Sequence, residues 1–241
     1  MIRVSVYGPS RRVNEWVGIY NMLSTPGVDL ELVFAGPVVC DTPLPSNIKV
    51  ITTQVKPAQA AEIARRACTG DYIMNIADDC IFPKDILNTF ISIYKNLPAE
   101  DVMLTALFGF RGNYTVATHR LNCGDVQSPV VPVSGFLSME LSNRIGGIDK
   151  NFVALYWDLD LAMRLYQLGG RVQLETNILF YEDESKQANS SLFNTYGSSD
   201  RLYFNMLWGD GKSHTRTLPV QEFDDKDILL YSQGNKGNFT I

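Results

Sequence analysis

Residues 71–79, Asp-Tyr-Ile-Met-Asn-Ile-Ala-Asp-Asp, set a mostly apolar run directly before two adjacent carboxylates, and no other feature constrains the chain as much. The run follows a helix-like stretch, 57–68, through Thr69-Gly70, and reads as a buried strand. Carboxylates are costly to crowd together away from water, so a pair ending such a strand either holds a cation or is strained by function. The plainer alternative is an Asp pair accepting backbone N–H bonds in a loop or helix cap. In an open α/β sheet, ligands bind beyond the carboxyl ends of the strands, which is where Asp78 and Asp79 fall.

The flanking segments agree with such a sheet. Residues 2–7 alternate as a strand and run into Gly8-Pro9; 14–23 carries Trp16, Ile19, Tyr20 and Leu23 at helical spacing. Strands are expected at 30–35, 48–52, 72–76 and 102–108, with helices at 58–67 and 83–95, the latter starting on Pro83, where a missing N–H costs nothing. The order β-α-β-β-α-β-α-β predicts an α/β fold, a mostly parallel central sheet with helices on both faces. Further on, 130–139 alternates as a strand containing Gly135, a short helix ends at Gly146-Gly147, 158–168 is helical up to Gly169-Gly170, 171–180 is a strand, and 200–208 forms a short closing helix.

A length of 241 residues with 45% hydrophobic content supports one large domain or two small ones, and no linker is clean enough to divide the chain, so a single domain is expected. A net charge of −5 leaves no basic footprint for nucleic acid. Cys40, Cys68, Cys80 and Cys123 show no metal-binding spacing and read as reduced thiols. No apolar run approaches a transmembrane span, and the sequence enters a strand at once, without a leader pattern; a cytoplasmic location follows as the expectation.

A second acidic run, Trp157-Asp158-Leu159-Asp160, opens the 158–168 helix, placing a candidate base opposite the first pair. Asp160 is expected to act mainly as a carboxylate at a helix N-terminus. Gly8-Pro9-Ser10-Arg11-Arg12 follows the first strand, and either Arg neutralises phosphate there or the loop is simply basic and solvated. Tyr156 and Trp157 are equally consistent with core aromatics and with an apolar face for a bound ring.

Three stretches together resemble the GT-A-fold glycosyltransferases, and among them the inverting family 2 group. The first is Val133-Ser-Gly135-Phe-Leu-Ser, then Ile145-Gly-Gly-Ile-Asp149-Lys-Asn-Phe152, then Trp157-Asp158-Leu-Asp160-Leu-Ala-Met-Arg164. These match a glycine strand, a "GGFDE-x-F" turn and an "ED-x-DL-x-x-R" helix start in order and spacing. Thr69-Gly70-Asp71-Tyr72-Ile73, running into Ala77-Asp78-Asp79-Cys80-Ile-Phe-Pro83, is similar to the family's "G-D-Y-I-x-x-x-D-x-D-x-x-x-P". The resemblance spans roughly residues 2–182. Ala77 stands where many members carry the first metal-motif Asp, Ala35-Gly36-Pro37 replaces an acidic strand end, Trp157 replaces a Glu, and Glu62 replaces an Asn, leaving Arg65 and Arg66 as open phosphate candidates. Where relatives place a His after the last core strand, this chain has Glu182-Asp183, which either completes a metal site or forms a solvated acidic turn; His119 and His214 lie elsewhere.

The resemblance implies a nucleoside-diphosphate sugar donor, UDP- or GDP-linked, bound by the half 1–110 through Gly8, Pro9, Ser10, Arg11 and Asp78, the last on the ribose or a metal-bound water. It implies Mn²⁺ or Mg²⁺ on Asp79, Asp158 as general base, and a glycan acceptor in the half 111–210 near Gly135, Tyr156 and Trp157, with a tail over 211–241. Two rivals remain at this point: a non-catalytic carbohydrate- or partner-binding module on the same fold, and a sugar nucleotidyltransferase. The second would need a loop richer in glycine than Gly8-Pro9-Ser10-Arg11 to cradle a triphosphate.

Overall fold

The computed structural model describes residues 1–41, 43–97, 101–109, 121–123, 126–128, 134–186 and 191–208. Its ten strands are β1 (Ile2–Pro9), β2 (Val28–Gly36), β3 (Ile48–Thr52), β4 (Tyr72–Asn75), β5 (Cys80–Ile81), β6 (Val102–Gly109), β7 (Leu121–Cys123), β8 (Val126–Ser128), β9 (Phe136–Ser138) and β10 (Arg171–Glu182). The helices are α1 (Val13–Leu23), α2 (Pro57–Arg66), α3 (Ile86–Asn96), α4 (Met139–Ile145), α5 (Trp157–Gln167) and α6 (Ser191–Trp208). Eight strands form one sheet in the order β3-β2-β1-β4-β9-β6-β10-β5, and β7 and β8 form a separate hairpin.

Alternation along the strands loads both faces of the sheet. In β1, Val4 and Val6 join Trp16, Leu32, Phe34, Met74 and Phe90 in a core under α1 and α3; Tyr7 faces the opposite way, joining Val33, Ile73, Ala61, Leu161 and Phe204 under α2, α5 and α6. Both faces of β1 and β2 are buried although the strands alternate at their starts, because the buried polar side chains Ser5 and Glu31 bond each other across the pair. Trp16 stacks on Phe34 at 5.5 Å between ring centroids, fixing α1 against β2.

Pairing is parallel through β3-β2-β1-β4 and between β6 and β10, whereas β9 runs antiparallel to β4 and β6, and β5 antiparallel to β10. The chain moves outward from β1 to β2 and β3, then returns to the other side of β1 as β4. A crevice opens at the carboxyl ends of strands flanking such a reversal. It lies beyond Pro9 and Asn75.

Three boundaries differ from expectation. The strand read over 130–139 is, within the described residues, only Phe136–Ser138, because the Ser138 hydroxyl accepts from the Leu141 N–H at 3.1 Å and caps α4. The third helix starts at Ile86, three residues after Pro83, because Asp85 takes a left-handed φ of 63° with its carboxylate on Thr25. The closing helix begins at Ser191 instead of near 200, running through Gly197-Ser198-Ser199, residues that normally argue against a helix interior. Among the described residues no helix is long and apolar enough to cross a membrane.

Candidate active site

The loop after β1 is built around Asp78, which is only 6% exposed. One of its carboxylate oxygens accepts from the Ser10 hydroxyl at 2.6 Å and from the Arg11 and Arg12 N–H groups at 3.2 and 3.3 Å; the other pairs with the Arg12 guanidinium. Ser10 in turn accepts from Trp16 Nε1 at 2.6 Å. Asp78 is therefore the anchor of the loop, and a ribose hydroxyl would have to compete with donors it already serves. Gly8 belongs to the same construction without lining the cleft: a Cβ there would lie 2.2 Å from the Ile76 carbonyl oxygen, so only glycine lets β1 approach the chain leaving β4.

Asp79, the next residue, faces the opening. Its Oδ2 lies 3.2 Å from Arg12 Nη1, and burial together with the charge of Asp78 raises its carboxyl above the usual range against the pull of Arg12. The Asp183 N–H donates to the Asp79 carbonyl at 2.7 Å, and Glu182 pairs with Cys80 across β5 and β10, so Glu182 lines the same cleft beside Asp79. Asp183 turns away and bonds Ser185. The Arg12 guanidinium also donates to the Lys186 carbonyl at 3.3 Å, and Lys186 Nζ sits 2.6 Å from Glu15, clipping the segment after β10 onto α1.

The opposite wall comes from the start of α5. Tyr156, with a left-handed φ of 65°, is its N-cap and packs on Phe204 at 5.8 Å; Trp157, largely buried, lines the cleft beside it. Asp158 is half-buried with its Oδ1 on the Leu159 N–H at 3.0 Å. Desolvation pushes this carboxyl up to about 7, opposed only by backbone N–H groups. Asp160, two residues on and in the first turn of α5 as expected, has partners beyond the helix end: it is wholly buried, 3.0 Å from Arg164 Nε and 2.8 Å from Trp208 Nε1.

These walls enclose a cleft of about 590 Å³, within the range of small-molecule sites. It brings together Pro9, Ser10, Arg11, Asp78, Asp79, Tyr156, Trp157, Asp158 and Glu182. Gly135 stays outside, its N–H on the Asn75 side chain at 2.7 Å and a Cβ there meeting Met103 Sδ at 2.6 Å. Arg65 and Arg66 are also outside, both bound to buried Glu62, which holds the Ile148 N–H behind the Gly146-Gly147 turn. Sequence reasoning missed Lys56 and Tyr196, which meet at 2.9 Å on the cleft rim, and did not separate Arg12, committed to carboxylates, from exposed Arg11, which makes no ion pair among the described residues. His119 and His214 lie outside the described residues.

The donor set suits a hard divalent cation. Such ions are commonly held by one or two carboxylates with phosphate oxygens and water completing the shell. Asp79 and Glu182 supply that number, and among the described residues no cluster of three or more His, Cys, Asp or Glu side chains converges to do more. Among the described residues the lining cations Arg11, Arg12 and Lys56 share the cleft with the carboxylates Asp78, Asp79, Asp158 and Glu182, so a diphosphate entering here is helped by a counter-ion.

No family model matches the sequence, and no curated protein sequence does. Solved structures do match in fold. S. aureus TarS residues 1–349 in complex with UDP aligns with TM-score 0.55 at 13% identity over 75% of this chain and 60% of that one. GalNAc-T7 with UDP, GalNAc and Mn²⁺ aligns at 0.59 and 11% over 86% of this chain and 49% of that one. The mannosyltransferase PcManGT from Pyrobaculum calidifontis, with GDP-Man and Mn²⁺, aligns at 0.56 and 18%, over 78% and 58%. The chain thus spans about half to three fifths of these structures and shares the GT-A glycosyltransferase fold with them.

Proposed function

We propose that this chain transfers a sugar from a nucleoside-diphosphate donor, UDP- or GDP-linked, to a hydroxyl group of a glycan or other acceptor, with inversion at the anomeric carbon and Asp158 as general base. One observation carries the reading: the Asp158 carboxyl, pushed by desolvation to about 7, lines the same cleft as Asp79 at the carboxyl-end crevice. A base with this proton affinity is half ionised at neutral pH and still strong enough to take a proton, which is the compromise general-base catalysis requires.

The donor's nucleotide would lie along the ends of β1 and β4, with the Ser10–Arg12 backbone shaped by Asp78 and the free guanidinium of Arg11 beside the diphosphate. Asp79 and Glu182 would hold a divalent cation, which when bound offsets the charge on the leaving diphosphate. The acceptor hydroxyl enters from the α5 side. Oδ1 of Asp158 is occupied by the Leu159 N–H, so Oδ2 takes the hydroxyl proton. The new oxygen–carbon bond forms as the anomeric carbon–phosphate oxygen bond breaks, and the electron pair leaves with the diphosphate. Tyr156 and Trp157 border the space an acceptor ring would occupy.

The test is a panel of UDP- and GDP-sugars with Mn²⁺, with NMR reading the anomeric configuration of the product. An inverted centre is expected. A retained one would remove Asp158 from the role of base in a single displacement.

A further inference from the structure

The buried carboxylate of Asp200, in the middle of α6, faces three consecutive backbone donors: Val153 N at 3.0 Å, and Ala154 N and Leu155 N at 2.8 Å each. Asp200 is 2% exposed and makes no ion pair among the described residues. A desolvated carboxylate is costly unless its lone pairs are served, and three successive N–H groups that converge on one anion require a backbone bent around it. That bent segment leads directly into Tyr156, with its left-handed φ of 65°, and then into Trp157 and Asp158; Ala154 and Leu155 themselves line the cleft.

The same face of α6 grips the next parts of this segment in order. Residues four apart on a helix share a face. Four positions after Asp200, Phe204 packs on the Tyr156 ring, and four further on Trp208 Nε1 bonds Asp160 at 2.8 Å. On the other side, the Ala58 N–H holds the Val153 carbonyl at 2.9 Å. The left-handed Tyr156 costs conformational energy and persists only where its surroundings over-determine it, and the three bonds from Asp200 fix the residues leading directly into it.

We infer that Asp200 is the positioning residue of the site: by binding the N–H groups of 153–155 it fixes the αL turn that aims Asp158 into the cleft. The inference rests on the reading of Asp158 as base. Asp200→Asn weakens the grip on the three donors, whereas Asp200→Glu keeps the charge and displaces it by one methylene.

Both variants would be compared with the wild type by thermal melt, by calorimetric binding of UDP and of GDP with Mn²⁺, by release of nucleoside diphosphate from UDP- and GDP-sugars, and by ¹³C NMR titration of the Asp158 carboxyl, assigned through its loss in Asp158→Asn. Positioning predicts that Asp200→Glu, folded, binds nucleotide within about twofold of wild type, turns over at least tenfold more slowly, and titrates Asp158 at lower pH as its turn opens to water. Wild-type turnover in the Glu variant, or an Asp158 titration identical to wild type in every folded variant, would overturn the inference. The titration reads the geometry even if no sugar nucleotide is turned over, an outcome that would defeat the proposed reaction while leaving the role of Asp200 decided by the NMR result.

Discussion

Replacing Asp158 by Asn should make the protein more stable at alkaline pH while removing its activity. Raising a carboxyl from 3.8 to about 7 means that the folded state resists its ionisation. The unfolded chain releases this proton first, so the stability associated with the protonated carboxyl is fully present below about pH 4 and is lost as pH rises through 7. A fully desolvated carboxyl shifted this far would cost about 4 kcal/mol at pH 8, and the partial contact of the side chain with the open cleft reduces this to about 2–3 kcal/mol. Asn has the shape of the protonated acid and never ionises. Thermal melts of the variant and the wild type should therefore differ by only about 1–3 °C at pH 4.5 and separate by roughly 5–10 °C in favour of the variant at pH 8, on the basis of about 2–4 °C per kcal/mol for a chain of this size. Equal separation at both pH values would refute the argument, because it would show that burial does not oppose ionisation at this position.

Asp79→Ala should abolish metal-dependent binding of UDP or GDP, since the cation loses a ligand while the diphosphate keeps its charge; calorimetry with and without Mn²⁺ reads this, and unchanged affinity would remove Asp79 from the metal site. Asp160→Asn, which a surface helix-end carboxylate would tolerate, should instead lower stability by about 3 kcal/mol by leaving the buried Arg164 guanidinium without its anion, a loss visible as a reduced melting temperature across the neutral range.

The strands of the nucleotide half were legible because β1, β2 and β4 bury residues along most of their length, and because Asp78-Asp79 punctuate the end of the fourth. The start of α5 was legible from Trp157-Asp158-Leu159-Asp160 and from the glycines that close the helix. The roles within each acidic pair were not. Asp78 and Asp79 are adjacent in the chain, but one turns inward to Ser10 and Arg12 and the other toward the cleft, and only the path of the loop after β1 decides which. Asp158 and Asp160 divide in the same way, because a helix turns their side chains about 200° apart. Of the strand read over 130–139, residues 130–133 lie outside the described residues, and its end at Ser138 is set by the capped helix that follows directly. Arg65 and Arg66 read as open phosphate candidates, yet both are bound to Glu62, which the Gly146-Gly147 turn covers and leaves wholly buried. Asp200 left no local signal at all: its partners lie 45 to 47 residues earlier.

The central claim, that Asp158 takes the acceptor proton opposite a donor site at Asp79, is tested most directly by measuring nucleoside diphosphate release from UDP- and GDP-sugars with Mn²⁺ by the wild type and Asp158→Asn, beside calorimetric binding of the same nucleotide. The account predicts release by the wild type, a loss of ~10²–10⁴ in the variant, and unchanged binding. Equal release by both proteins, or nucleotide binding without release by either, would contradict it.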